Sequence, residues 1–406
     1  EILIPNWVYS SVNFPKVVAG AYNEIKPTTA EFITTLNCNF RCNQCSYAEP
    51  KKEIGVWKEA RSNKPQYNFN EKLHMTEQTM KISIDKLIEG GVKNILFTGG
   101  GEPFFNADIT LKGMRYAKSK GLIIGLYSNG SLLNKNIVKE IFDISPLFVR
   151  ISIYGSTNTS FSKYTNQKEN VFFKVIENIK LLSQEKNRIN SNTQLGLSYL
   201  VHPDTTPEIS HFSEMLRERF SMDELSAINF IRFTPAVEYF GKHQHSQRLM
   251  EDVFLSIEKV IKPVIATYGI NVKLYYHRLA DLNLAKPYTT CRASGWYLEI
   301  GPNGEVYLCC EKLFLPDYKI GNLLEQNLND IFSGQARNQV ISHVNKSKCQ
   351  DCPTLCKPHE LNKIFEGVED FRKKDDYNRL EIWKNELLRF GKPSTHTPGR
   401  LNDFES

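Results

Sequence analysis

Three cysteines, Cys38, Cys42 and Cys45, stand at C-x3-C-x2-C spacing directly after an apolar stretch that closes at Leu36. Spacing this tight lets one loop wrap three thiolates around a metal centre. A [4Fe–4S] cube has four irons, so three protein thiolates leave one iron open to a substrate or cofactor. The alternative is a structural zinc loop, which wants a fourth ligand close by; the next histidine in the chain is His74.

A second group of cysteines lies between 291 and 356: Cys291, Cys309, Cys310, Cys349, Cys352 and Cys356, with none between 45 and 291. Residues 296–300 and 305–310 alternate around Gly301-Pro302-Asn303-Gly304, a hairpin signal that would bring Cys309 back towards Cys291. A helical pattern over 331–344 then returns the chain to Cys349 and Cys352. Two fully ligated cubes need eight thiolates and this region has six, so one cluster with two spare cysteines is the simpler account, a zinc ribbon being the alternative. Clustered cysteines of this kind hold metal in a reducing compartment rather than forming disulfides.

Six short apolar runs, at 31–35, 94–98, 123–128, 148–153, 194–201 and 227–233, alternate with helical patterns. Met80, Ile84, Leu87 and Ile88 give one helical stripe after a possible cap at Thr76; Phe172, Val175, Ile176 and Ile179 give another. This alternation predicts a parallel sheet covered by helices, which a six-stranded partial barrel and a doubly wound open sheet satisfy about equally. Ligands sit where parallel strands end. The strand ends here carry Thr98-Gly99-Gly100-Gly101-Glu102, then Ser128-Asn129, then Ser152-Ile153-Tyr154, with Arg232 near the sixth end. Glycines allow close backbone approach to a ligand, and Glu102 offers an acceptor to an ammonium group.

At 406 residues the chain can bury one large core plus a smaller one, and its net charge of +6 is modest and spread along the chain, so nucleic-acid binding is not demanded. No apolar run approaches the ~20 residues that span a bilayer, and residues 1–11 lack the features of a signal peptide, which predicts a cytoplasmic protein with no membrane partner. Residues 46–75 form a long polar connection beside the cysteine loop, fit to cover a substrate or simply to be solvated. A helix through Leu249, Val253, Ile257, Val260 and Ile261 should bend or end near Pro263, and an amphipathic helix through Leu380, Trp383 and Leu387 should stop at Gly391.

The cysteine loop followed by the Gly-Gly-Glu strand end resembles the radical S-adenosylmethionine (SAM) superfamily, and the later cysteines resemble its SPASM and twitch extensions. The resemblance implies an α/β fold, a partial (β/α)6 TIM-like barrel with a small cysteine-rich C-terminal domain of hairpin plus helix. It divides the chain into an N-terminal extension (1–29), barrel (30–280), auxiliary-cluster domain (281–360) and C-terminal helix and tail (361–406). Cys38, Cys42 and Cys45 would hold the SAM-binding [4Fe–4S] cluster. Gly100, Gly101, Glu102, Ser128, Asn129 and Ser152 would meet SAM, with Lys163 as the nearest cation for its carboxylate. In the twitch form, Cys291, Cys309, Cys349 and Cys352 would hold one auxiliary [4Fe–4S] cluster, leaving Cys310 and Cys356 as packing or as hydrogen-atom donors. Two positions depart from the family pattern: Gln44 stands where a ring usually precedes the third cysteine, with Tyr47 beyond, and Tyr154 where aspartate is common.

The implied activity is reductive SAM cleavage to a 5′-deoxyadenosyl radical, fed by a flavodoxin or ferredoxin, followed by hydrogen abstraction. With an auxiliary cluster able to accept an electron, the expected outcome is a net oxidation. Because only 37 residues precede Cys38, less than the leader-binding domain of many peptide-modifying relatives, the expected substrate is a small molecule such as a sugar or aminocyclitol. The alternatives are a peptide-modifying maturase that forms crosslinks or epimerised residues and, in another class, an iron–sulfur electron carrier or zinc scaffold.

Overall fold

Seven strands run parallel in the order in which the chain makes them: β1 (Thr29–Ile33), β2 (Asn94–Thr98), β3 (Ile123–Ser128), β4 (Phe148–Ile153), β5 (Gln194–Val201), β6 (Ile228–Pro235) and β7 (Asn271–Leu274). The computed structural model describes residues 13–43, 45, 74–168, 170–235, 247–274, 286–310, 313, 316–344, 352, 356–374 and 378. A doubly wound sheet reverses its strand order at a switch point. From β1 to β7 each strand pairs in parallel with the next one in sequence, the order of a barrel wall.

From Val149 to Ile153 of β4 burial alternates with period two, as a two-sided wall requires. Val149, Ile151 and Ile153 of β4 are buried against the helical layer, whereas Arg150 and Ser152 between them are partly open to the interior. Helix Glu77–Glu89 supplies Met80, Ile84 and Leu87 to that layer, and Thr76 caps it by accepting from the Thr79 amide at 3.1 Å. Helix Val171–Arg188 supplies Phe172, Val175, Ile176 and Ile179. The barrel interior has its own small apolar cluster, Leu96 and Phe148 with Ile123 and Tyr127 against them. Glycine is required beside these rings: a Cβ at Gly125 would stand 2.5 Å from the Phe148 ring, and one at Gly196 would stand 2.0 Å from that of Phe230.

The structure departs from the sequence expectations in several ways. β1 ends at Ile33, and Thr35 instead bridges His74. A seventh parallel strand follows the bent helix. That helix yields through a π turn, Ile257–Ile261, and Pro263 sits in the first turn of the next segment, Lys262–Ala266, where its missing N–H costs nothing. The hairpin forms as β8 (Glu299–Ile300) and β9 (Glu305–Tyr307), with β10 (Lys319–Asn322) antiparallel to β9. β8 then pairs in parallel with β1, so the cysteine-rich module extends the barrel sheet to ten strands. The helix expected over 331–344 is two, Leu328–Ser333 and Gln335–Val344, parted at an extended Gly334. Val17 and Ile25 near the N-terminus pack with Trp296, Leu361 and Phe365, the last two on helix His359–Lys373. Among the described residues no helix is long and apolar enough to cross a membrane. Residues 46–73 of the polar connection and the helix expected around Trp383 lie outside the described residues.

Candidate active site

The loop after β1 and the turn after β2 are built into one another. The Gly101 amide donates to the Thr35 carbonyl at 3.1 Å, and the Glu102 amide to that of Asn37 at 2.8 Å. A Cβ on Gly101 would stand 2.2 Å from the Asn37 carbonyl oxygen, so glycine is what lets the two backbones touch. The far side of the cysteine loop is pinned to helix Asn158–Thr165. The Arg41 and Asn43 amides donate to the Thr165 and Tyr164 carbonyls at 3.0 and 2.9 Å, and Asn166, in a left-handed conformation with φ 51°, donates its side-chain amide to the Arg41 carbonyl at 2.7 Å.

Glu102 is the organising acid. It is 2% exposed and accepts from Ser128 Oγ at 2.7 Å, the Asn129 amide at 2.7 Å and the Phe104 amide at 3.3 Å. Burial nevertheless pushes its carboxyl up to about 7 against the pull of those donors. A cation beside it would restore the charged form. Asn129 turns the other way: its Nδ2 donates to Asn39 Oδ1 at 3.0 Å and to Cys38 Sγ at 3.8 Å, while its Oδ1 accepts from the Ser131 amide and hydroxyl. Ser152 meets the Tyr154 hydroxyl.

Cys38, Cys42 and Cys45 border one cavity of about 410 Å3 together with Gly100, Gly101 and Glu102, a size within the usual range of ligand sites. Burial raises the Cys38 thiol to about 12 and drives Cys42 well above the ordinary thiol value, with the neighbouring cysteines adding to both shifts. Such thiols give up their protons to a metal centre, whose positive charge replaces the water they have lost. Three converging thiols on one side and a buried carboxyl on the other fit a cluster with an open iron next to an ammonium-bearing ligand. Phe40, Tyr154 and Tyr164 wall the cavity behind the loop, the two tyrosine rings stacked at 5.2 Å.

Of the expected site residues, Gly100, Gly101, Glu102, Ser128, Asn129 and Ser152 all line this cavity. Lys163 does not. It is largely exposed and its ammonium pairs with Asp204 at 2.7 Å; Asp204 also accepts from Asn43 at 2.9 Å, so Lys163 braces the cysteine loop instead of facing the cavity. The cations that do line the cavity are Arg150 and Arg232. Arg150 was missed, although a charged residue between apolar neighbours on a strand is the alternation signal that marks an inward position. Gln44 and Tyr47 lie outside the described residues.

In the C-terminal module Cys291, Cys309, Cys352 and Cys356 line one small enclosed cavity, while Cys310 is not among its lining. Cys356 therefore stands with the candidate ligands and not apart from them; Cys349 lies outside the described residues. Neither Cys310 nor Cys356 borders the large cavity, where a hydrogen donor has to stand. Asn362 Nδ2 donates to Cys291 Sγ at 3.2 Å.

Known proteins agree with this geometry. Residues 32–209 match the radical SAM superfamily, and residues 291–353 match the iron–sulfur cluster-binding SPASM domain. The cysteine-type anaerobic sulfatase-maturating enzyme of Clostridium novyi (strain NT) is 23% identical over 354 residues, 81% of this chain and 84% of that protein. The serine-type enzyme of Bacteroides thetaiotaomicron is 24% identical over 351 residues, 79% of this chain and 77% of that one. Among solved structures, Streptococcus suis SuiB bound to S-adenosylmethionine superposes with a TM-score of 0.57 at 16% identity, covering 84% of this chain and 75% of SuiB. Native anSMEcpe with bound AdoMet and a peptide gives 0.55 at 15%, covering 89% and 99%. The chain belongs to the radical SAM superfamily and carries a C-terminal SPASM domain. It is an enzyme whose cofactors are [4Fe–4S] clusters and SAM, which sets aside the carrier and scaffold alternatives.

Proposed function

We propose that this enzyme modifies a peptide or protein by radical chemistry, with net removal of a hydrogen pair. The carrying observation is the meeting of three partly buried thiols and one buried carboxyl at a cavity with space left for a ligand. The small-molecule expectation gives way on the comparisons: two curated relatives that match most of this chain are named for maturing a sulfatase, and SuiB has been crystallised with a precursor peptide. Both are relatives over most of this chain. The few residues ahead of Cys38 do not weigh against them, because a leader-binding protein can be separate.

Cys38, Cys42 and Cys45 would hold a cluster beside SAM in the cavity, and together these groups would supply hydrogen-abstracting radical chemistry through a 5′-deoxyadenosyl radical. The chain's own contribution is placement. Glu102 accepts the ligand ammonium while Ser128 and the Asn129 amide fix the carboxylate from behind. Phe40, Tyr154 and Tyr164 exclude water. Residues 30–280 would form the radical site, and within 281–360 Cys291, Cys309 and Cys352, with Cys349 or Cys356 as fourth thiolate, would hold a second cluster able to accept an electron from the substrate. The reductant is a flavodoxin or ferredoxin.

Incubation of the anaerobically reconstituted, reduced protein with SAM and candidate precursor peptides should yield 5′-deoxyadenosine together with a peptide lighter by a hydrogen pair. Oxidised product from an aminocyclitol or sugar, and none from any peptide, would return the reaction to small molecules.

A further inference from the structure

Helix Gln335–Val344 carries a charge for which the radical chemistry has no use. Arg337 is 1% exposed. Its Nη1 donates to the Asn23 carbonyl at 3.0 Å, and its guanidinium lies over the Phe332 ring at 4.9 Å. Nε and Nη2 are buried without a hydrogen-bond partner, and among the described residues no carboxylate pairs with the group. Burial pulls it down to about 10 from the ordinary arginine value. The neighbouring Arg292, by contrast, pairs with Glu366. A guanidinium held out of water with nothing to balance it is costly, so the complete protein should supply a counter-charge.

Two walls of the enclosed cysteine cavity meet at this side chain. Val340, one turn further along the same helix, lines the cavity, as do Ile341 and Val344. From the other side Gly295 packs against the guanidinium: a Cβ there would stand 2.9 Å from Nη2, so glycine permits the approach. Gly295 lies in the tight turn Arg292–Trp296 that Cys291 opens. It follows Ser294, which lines the cavity and donates its hydroxyl to the Cys291 carbonyl at 2.9 Å. Arg337 thus stands one helical turn behind the lining on one wall and one residue behind it on the other. Four thiolates outweigh the charge of a [4Fe–4S] core, so a cluster held there is a net anion, and more of one when reduced. The apolar side chains of Leu308, Val340, Ile341 and Val344 around it screen charge poorly, which lets a buried cation behind them act on it.

We propose that Arg337 is the counter-charge of the second cluster, placed to favour its reduced state. Arg337 lines neither cavity, so it is a positioning residue for charge and not a catalytic one. The proposal rests on the second cluster assigned above and is independent of the peptide reading, because the residue has no part in holding substrate.

The test uses the reconstituted full chain with Cys38, Cys42 and Cys45 replaced by alanine, so that the second cluster gives the iron signal. Its potential is read by redox titration with electron paramagnetic resonance. Arg337→Met keeps the length of the side chain and removes the charge. It should lower the reduced-to-oxidised ratio at a fixed ambient potential by at least about tenfold, a fall of about 59 mV for a one-electron couple. Arg337→Lys keeps the charge without the planar fork and should hold the change below about threefold. Phe332→Glu sets a carboxylate against the guanidinium and should lower the ratio as Arg337→Met does, whereas Phe332→Gln should not; this pair carries the test if Arg337→Met fails to fold. An unchanged potential in Arg337→Met or Phe332→Glu at full iron content overturns the proposal. So does an equal fall in Arg337→Met and Arg337→Lys, since shape and not charge would then be at work. A background protein that holds no cluster at all would overturn the second cluster and the proposal with it, a failure distinct from an unchanged potential. Peptide turnover enters none of these readings, so a failure of the peptide reading is told apart from both.

Discussion

The two cysteine centres differ in what surrounds the sulfur. Cys38, Cys42 and Cys45 border about 410 Å3 of open space lined by a carboxyl, hydroxyls and two guanidiniums, whereas Cys291, Cys309, Cys352 and Cys356 enclose about 30 Å3 among Leu308, Val340, Ile341 and Val344. No substrate-sized ligand fits beside the second set. The first can therefore bind and react, while the second can hold structure or carry charge. Each nevertheless keeps one buried asparagine amide on a cysteine sulfur, Asn129 on Cys38 and Asn362 on Cys291.

Removing one centre at a time should give the largest effects. Replacing Cys38, Cys42 and Cys45 together with alanine should abolish 5′-deoxyadenosine formation and lower iron from about eight to about four per chain. Cys309→Ala should do the opposite, leaving SAM cleavage and losing oxidised product. If both activities fall together and the C-terminal module unfolds by circular dichroism, the second cluster is structural. Between the two remaining thiols, Cys356→Ala should cost iron and Cys310→Ala should not; the reverse result would break the assignment of Cys356 to the enclosed set.

Glu102 sharpens the contrast from the open side. Glu102→Gln should weaken SAM binding by about tenfold to a hundredfold, ~1.5–3 kcal/mol for a lost charged hydrogen bond, with cluster content retained. Burial holds its carboxyl at about 7, above the ordinary carboxylate value. That raised value contributes stability at low pH which is lost as pH rises towards 7. Binding of an ammonium reverses the sign, since it favours the ionised form. SAM affinity should climb as pH rises through about 7 and level off above it, and the climb should vanish in Glu102→Gln. An unchanged pH profile in that variant removes Glu102 from the cofactor site.

Much of the first centre was legible in the sequence because its residues are local: a loop with fixed cysteine spacing and a Gly-Gly-Glu turn at a strand end. The helix-covered parallel sheet followed from period-two and helical patterning, whereas the choice of a partial barrel over a doubly wound sheet came from the family resemblance, because strand order is set by pairing and invisible to periodicity. β7 is only four residues, below what alternation can register, and the pairing of hairpin strand β8 with β1 is a long-range contact that no local pattern carries. Lys163 was misplaced since closeness in sequence to Tyr154 says nothing about which way a helical side chain faces, and its helix turns it to Asp204. The second ligand set is assembled by long-range packing of the turn at 291–296 against helix His359–Lys373, so spacing alone left Cys356 outside it.

The smallest expected effect tests what the two centres share. Asn362 is 1% exposed, and its orientation is fixed because its Oδ1 accepts from the Ala293 amide at 2.9 Å, which leaves Nδ2 facing Cys291 Sγ at 3.2 Å. Hydrogen bonds to ligating sulfur stabilise the reduced, more negative cluster and so raise its potential. Asn362→Asp keeps an acceptor for Ala293 but replaces the donor with an anion, and Asn362→Leu removes the donor without adding charge. Losing one neutral hydrogen bond of about 1 kcal/mol corresponds to a fall on the order of 40 mV for a one-electron couple, so the leucine variant should move by about that much and the aspartate variant further. Redox titration followed by electron paramagnetic resonance reads this without any turnover. Unchanged potentials in both variants at full iron content would show that the amide only packs, and a loss of the cluster in both would show that it serves assembly. A fall in the order leucine, then aspartate, with SAM cleavage at the first centre untouched, would mark the enclosed centre as an electron store whose depth is set by one side chain.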